Sequence, residues 1–226
     1  MIGIFDSGAG GLAASAEVRR LFEREDIIFL ADRENAPYGT KTEDELLPLV
    51  KNDIRRLCEL GAEKILIACC TASTVFPLLT EDEQRVCLPI IPPTVEAVGN
   101  SLRTAVIATE RTVSSHAFQD SLRRLYPKIK VSEIRAQELV SLVEYGRRTR
   151  NLAAICRSEA DELSEKIKRT GADTLILGCT HFAHLEAEFR IRLPDIKIIN
   201  SAREGALALK KSLLPRDKGR ATVRYI

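Results

Sequence analysis

The sequence has no tryptophan, and aromatic residues make up only 5% of its 226 positions. Platforms for stacking bases are therefore scarce, which argues against nucleic-acid binding. Charge of one sign is not in excess either: 34 Lys and Arg face 32 Asp and Glu, for a net charge of +2. No basic patch stands out along the chain, and the pairs Arg123-Arg124 and Arg147-Arg148 read as solvated helix faces. No apolar stretch reaches the roughly 20 residues that a membrane helix needs. Ile2 to Phe5 reads as a strand rather than as part of a basic leader, so no secretory signal is expected. The six cysteines, Cys58, Cys69, Cys70, Cys87, Cys156 and Cys179, show no disulfide-framework spacing. Reduced thiols in a cytoplasmic setting are expected. Metal-ligand spacing is also missing. Adjacent Cys69 and Cys70 diverge, so Cys69, Cys70, Cys179 and His181 make a poor zinc set, and no metal is expected.

What the chain does have is a sentence said twice. Gly61-Ala62-Glu63-Lys64-Ile65-Leu66-Ile67-Ala68-Cys69-Cys70-Thr71 returns as Gly171-Ala172-Asp173-Thr174-Leu175-Ile176-Leu177-Gly178-Cys179-Thr180. A short apolar run bounded by turn residues reads as a buried strand. Cys69 and Cys179 then stand at equivalent strand ends, where open α/β sheets bind their ligands. Strand patterns alternate with helical ones throughout, which predicts mainly parallel sheets flanked by helices. Strands are expected at Ile2-Phe5, Ile27-Leu30, before Cys69, around Leu88-Ile91, at Thr104-Ala108, around Ile129-Ile134, before Cys179 and at Ile196-Asn200. Helices are expected over Leu12-Phe22, Glu43-Leu60, Ser114-Tyr126, Leu139-Gly146, Leu152-Thr170, from His184, and over Glu204-Leu214. Pro92-Pro93 marks a crossing between halves. The fold class is thus α/β with two pseudo-symmetric domains and an active site between them. Residues 1–95 form the first domain, completed by 203–226, and residues 96–202 form the second. The end of the chain, Ala221-Ile226, reads as a terminal strand or a frayed tail.

Two thiols presented to one ligand from opposite sides suit removing a proton from one face of a carbon and returning one to the other. A helix start favours the thiolate, so both cysteines are expected to have lowered pKa values. A single buried cysteine is more often inert packing, and Cys58, Cys87 and Cys156 are assigned to that role; the shared motif sets Cys69 and Cys179 apart. His181 lies two residues beyond Cys179 and can exchange a proton with it. His116 and His184 read as surface residues. Asp6 ends the first strand, and the turn Asp6-Ser7-Gly8-Ala9-Gly10-Gly11 leads into a helix. The turn could hold an anion or be no more than a tight cap. It has neither the P-loop nor the dinucleotide spacing.

Together these motifs resemble the aspartate/glutamate racemase family, and within it the glutamate racemases. The resemblance rests on Asp6-Ser7-Gly8-x-Gly10-Gly11, Pro37-Tyr38-Gly39, Ala68-Cys69-x-Thr71-Ala72-Ser73 and Leu177-Gly178-Cys179-Thr180-His181-Phe182. Weaker matches are Thr109-Glu110-x-Thr112-Val113-x-Ser115 and Leu142-Val143-Glu144-x-Gly146. It implies an isomerase without cofactor, interconverting L- and D-glutamate and supplying the D-form for peptidoglycan. Cys69 would serve the D-enantiomer and Cys179 the L-enantiomer, assisted by Asp6 and His181. Ser7, Pro37, Tyr38, Gly39, Cys70, Thr71, Thr112, Glu144 and Thr180 would line the substrate site. The implied partner is a small molecule, with no nucleic acid and no membrane, and family members often form homodimers. Cys70 stands where the family usually has Asn, and a thiol is the weaker donor. Aspartate racemase, another two-cysteine racemase, or a catalytically weak protein binding an acidic ligand or a partner are the alternatives this leaves open.

Overall fold

Gly61 and Gly171 open the two copies of the repeat, and both adopt a left-handed backbone, with φ of +93° and +65°. Glycine takes this conformation without a Cβ penalty, so each ends a long helix and turns the chain into a strand. The structure is a computed structural model that describes residues 1–145, 152–213 and 222–226. Its first half runs β1 (Ile2–Asp6), α1 (Gly11–Leu21), β2 (Ile27–Ala31), α2 (Glu43–Glu59), β3 (Lys64–Ile67), α3 (Cys70–Ser73), α4 (Glu81–Val86), β4 (Cys87–Pro89) and α5 (Ile91–Glu96). The second half runs β5 (Arg103–Ala108), α6 (Glu110–Ser114), α7 (Ala117–Leu125), β6 (Lys130–Arg135), α8 (Gln137–Tyr145), α9 (Leu152–Thr170), β7 (Thr174–Gly178), α10 (Glu186–Arg192) and β8 (Lys197–Asn200). The helix α11 (Ser201–Ser212) and the strand β9 (Val223–Tyr225) close the described chain.

Among the described residues the strands form two sheets, ordered β4-β3-β1-β2-β9 and β6-β5-β7-β8. Every pairing is parallel. Read from its other edge, the second sheet is β8-β7-β5-β6, the same order as β4-β3-β1-β2. The registers agree as well: Phe5 pairs with Ile67, and Ile107 with Leu177. Cys69 and Cys179 each stand two residues beyond their partner. Ser7 and Thr109 likewise stand two residues beyond theirs and are topological equivalents. The β9 strand pairs with β2, which settles the terminal segment as a strand of the first sheet.

The core is layered. One apolar cluster joins Phe5, Ile28 and Leu30 to Leu46, Ile54 and Leu57 of α2. A second joins Ile107, Leu175 and Leu177 to Leu163 and Ile167 of α9. The third belongs to both halves: Ile4 and Leu66 meet Val106, Ile176 and Ile199 through Val18, Val95, Phe118 and Leu209. Each such side chain contributes about 1.5–3 kcal/mol when fully buried. Among the described residues no helix is long and apolar enough to cross a membrane.

Four local expectations change. The helix expected over Ser114-Tyr126 is two helices, because His116 adopts φ +54° between them. The strand expected around Leu88-Ile91 ends at Pro89, and Ile91, Pro92 and Pro93 open α5, where the prolines' missing N–H groups would have had no helical partner anyway. A 3₁₀ turn, Thr180–Leu185, fills the space after Cys179, so the next helix begins at Glu186. The helix α11 starts at Ser201, capped by the Asn200 side chain accepting from the Ala202 N–H at 3.0 Å. Gly146, Leu214 and Ala221, at the ends of expected elements, lie outside the described residues.

Candidate active site

Each cysteine sits where a parallel strand gives way to a helical turn. Cys69 is the N-cap of α3, and its sulfur accepts the Ala72 N–H at 3.4 Å. Ser7 Oγ lies 3.5 Å from the same sulfur. Cys179 heads the 3₁₀ turn, with its sulfur 3.4 Å from His181 Nδ1. The other ring nitrogen, Nε2, is 2.5 Å from Glu144 Oε2. The Glu144 carboxylate also accepts the Ala9 N–H, at 3.1 and 2.9 Å. Asp6 accepts from the Gly8 N–H at 3.0 Å and from Thr180 Oγ1 at 3.0 Å. Asp6 and Ala9 belong to the first half, whereas Thr180 and Glu144 belong to the second, so the site is clasped from both sides.

Between the thiols lies a narrow cleft lined by residues of both halves. Ser7, Pro37, Tyr38, Gly39, Cys69 and Thr71 line it from the first half. Glu144, Cys179, Thr180 and His181 line it from the second. The remaining lining comes from Ala36, Val140 and Thr109. Thr109 was not among the residues expected from sequence, although its equivalence to Ser7 is the signal that could have found it. No lysine or arginine is among the described residues that line the cleft. Its donors are hydroxyls and backbone N–H groups.

Three expected site residues stand behind the wall. Asp6 is fully buried and reaches the cleft through Thr180. Thr112 is also fully buried and hydrogen-bonds with the hydroxyls of Thr109 and Thr71, at 2.8 and 3.2 Å. It positions those hydroxyls rather than lining the site. Cys70 does not line the cleft; its side chain belongs to the apolar cluster shared by the two halves. The first residue of a helix points away from the side its N-cap faces, which explains the correction. The Tyr38 hydroxyl, expected at the substrate, instead donates to Asp32 at 2.6 Å and leaves only the ring at the cleft.

The expectation of lowered thiol pKa values is also overturned. Burial, reinforced by the nearby Asp6 charge, pushes Cys69 up to about 11. Burial, with the neighbouring Cys70 and Cys69 thiols, raises Cys179 well above its usual 9. The helix α3 has only four residues, too few to build the dipole that would offset desolvation. Asp6 rises to about 6 because it is buried, although the His181 charge and the Gly8 and Thr180 bonds oppose this. Burial pulls Glu144 upward too, but the His181 hydrogen bond and charge and the Ala9 N–H outweigh it, leaving the carboxyl below its usual value. Among the described residues no group of three or more His, Cys, Asp or Glu is arranged to hold a metal ion. His116 and His184 are exposed, and neither lines the cleft.

The profile of the Asp/Glu/Hydantoin racemase family matches residues 13–209. The chain belongs to this family. Relatives in the racemase family include the glutamate racemase of Lactobacillus acidophilus, 32% identical over 91% of this chain and 78% of its own length. That of Desulforudis audaxviator is 35% identical over 95% of this chain and 80% of its own. Among solved structures, a glutamate racemase from Bacillus anthracis superposes with a TM-score of 0.91 at 27% identity, covering 100% of this chain and 87% of that one. The Francisella tularensis glutamate racemase, solved with D-glutamate, gives 0.86 at 27% identity, covering 99% and 86%.

Proposed function

We propose that the protein is a glutamate racemase that works with its two thiols and no added cofactor. The observation that carries this reading is the pair of equivalent strand ends, which bring Cys69 and Cys179 to one cleft. In the D-to-L direction the Cys69 thiolate takes the Cα proton, and the Cys179 S–H returns its own proton to the opposite face. The L-to-D direction exchanges the roles. After each turnover the two thiols have swapped protonation states, and no net proton is consumed.

Burial keeps both thiols protonated in the empty site. A bound substrate brings an ammonium group into the same desolvated space, and that charge favours a thiolate beside it, the thiol's proton leaving to solvent as the substrate enters. As the Cα proton leaves, charge builds on the α-carboxylate. Ser7 and Thr71 line the cleft as hydroxyl donors for that charge, while the Thr180 and Thr109 hydroxyls donate to Asp6 and Thr112 behind it. His181, held by Glu144, stands beside Cys179 as its proton partner. Glutamate is preferred over aspartate because the relatives at 32% and 35% identity are named glutamate racemases. An aspartate racemase from Picrophilus torridus shares the fold, with a TM-score of 0.69 at 21% identity. The D-glutamate would serve peptidoglycan synthesis in the cytoplasm.

Cys69→Ala and Cys179→Ala should each lower racemisation of glutamate by about 10²–10⁴-fold, the range for losing one acid/base group. Circular dichroism in the chiral assay and solvent-deuterium uptake at Cα measure this. Each variant should still eliminate a β-leaving group from one enantiomer of a substrate analogue, since elimination needs one base. Racemisation at the wild-type rate in either variant would defeat the two-thiol reading.

A further inference from the structure

Behind the cleft wall lies a buried pair of carboxylates that the proposed chemistry does not use. Asp32 follows β2 and Asp53 lies on α2, with exposures of 6% and 1%. Both contact one hydroxyl: Tyr38 Oη is 2.6 Å from Asp32 Oδ2 and 3.2 Å from Asp53 Oδ2. Asp32 also accepts both of its contacts from the Asn35 amide, at 2.9 Å each. The Asp32 N–H donates to the Asp6 carbonyl at 3.0 Å. Arg56 Nη1 lies 3.5 Å from the other oxygen of Asp53. The Tyr38 ring is fully buried against Phe5 and lines the cleft beside Pro37 and Gly39.

Proton counting decides what this arrangement needs. A phenol has one proton to give. The shorter contact, to Asp32, takes it. The contact to Asp53 is then a hydrogen bond only if Asp53 carries a proton of its own to donate to the phenol oxygen. With both carboxylates ionised, two buried negative charges would meet across one phenolic proton, with the Asn35 amide on the Asp32 side and Arg56 on the far side of Asp53. We propose that Asp53 works in its protonated form as a positioning residue, and that the relay from Asp53 through Tyr38 to Asp32 fixes the Pro37-Tyr38-Gly39 wall of the substrate cleft.

The energetics run the same way. Burial, with the Asp32 charge adding to it, raises Asp53 to about 7, against the Tyr38 and Arg56 bonds that lower it. Burial and both carboxylates hold the Tyr38 phenol protonated far above its usual range. The charged and titratable groups around the relay are Arg56 on α2, Asp32 after β2 and the Cys69 thiol at the end of β3. A group whose folded pKa is raised is most stabilising in its protonated form, so the relay is complete at low pH and lost as pH rises through about 7.

The kinetic arm of the test rests on the glutamate racemase reading. In the wild type, KM for glutamate should rise by up to about tenfold as pH passes from 6 to 9, the upper end for one lost hydrogen bond between neutral groups. Asp53→Asn supplies an amide donor at every pH, so its KM should stay flat at the low-pH value with kcat unchanged. Asp53→Leu cannot donate, and its KM should be high throughout. The second arm needs no substrate. Infrared difference spectra of the wild type at pH 6 should contain a buried protonated-carboxyl stretch that Asp53→Asn removes and that disappears by pH 9. A wild type that does not racemise glutamate sinks the functional reading while the infrared arm still reports the proton. An Asp53→Asn variant whose KM rises with pH as the wild type does, or a spectrum unchanged by that substitution, would overturn the relay.

Discussion

At the scale of single residues, burial sets the chemistry of this site. Cys69 is 5% exposed and Cys179 is 7% exposed, and no lysine or arginine among the described lining residues offsets their desolvation. The resting thiols are therefore weak bases until a ligand's own positive charge arrives. Cys70 shows how one step along the backbone changes a residue's role. Its thiol is 2% exposed among Ala68, Leu66 and Ile90 in the shared apolar cluster. Burial drives its pKa upward as it does for the other two thiols, but it does not line the cleft, and that removes it as a competing base. Cys70→Ala should cost about 1 kcal/mol through a small cavity and lower Tm by about 2–4 °C, as is usual for a chain of this size. Its KM for glutamate should stay unchanged. Thermal melting and steady-state kinetics together check this, since a raised KM with an unchanged Tm would place the thiol at the ligand.

Among the elements, the start of α1 matters most to the site. Glycines there let the helix approach the 3₁₀ turn of the second half. A Cβ on Gly10 would stand 2.5 Å from His181 Nδ1 and 2.6 Å from Thr180 Oγ1. Either the helix or the turn would have to move, and both Thr180 and His181 line the cleft. Gly10→Ala should therefore lower kcat by about a hundredfold, the usual cost of a misplacement near 1 Å. Stopped-flow racemisation with a folded-state check by far-UV circular dichroism measures it. The short helix α6 works by a different device. Its N-cap Thr109 accepts the Thr112 N–H at 3.2 Å while its hydroxyl contacts Thr71 of the other half at 2.9 Å. One capping residue thus also ties the two halves together at the cleft.

The whole molecule is held by the apolar cluster that both halves share. Leu209 of α11 is fully buried within it. The helix packs on α1 and α5 of the first half and also touches β7 and β8 of the second. Leu209→Ala should cost about 2–5 kcal/mol, as large-to-small core changes do. Because the cluster is common to both sheets, unfolding should remain a single transition shifted to lower temperature. Calorimetry checks this, and two separated transitions in the wild type would show that the halves unfold independently.

The duplicated Gly-Ala, apolar run and Cys determined by themselves that two parallel strands would each end in a thiol, because strand periodicity and glycine turns are local properties of the chain. Cys69, Cys179, Asp6 and His181 were legible as candidates because each lies at a strand end or just beyond one, whereas the Pro37-Tyr38-Gly39 segment was implied only by the family resemblance. Three things were decided only by the tertiary structure. Cys70 turns into the apolar cluster that the two halves share, and the Tyr38 hydroxyl turns to the buried Asp32 and Asp53 of its own half. Thr109 enters the cleft because the second sheet repeats the order of the first. The thiols' pKa values rise rather than fall, because desolvation depends on how completely two sheets and their helices close around a sulfur, a quantity no local pattern of residues contains.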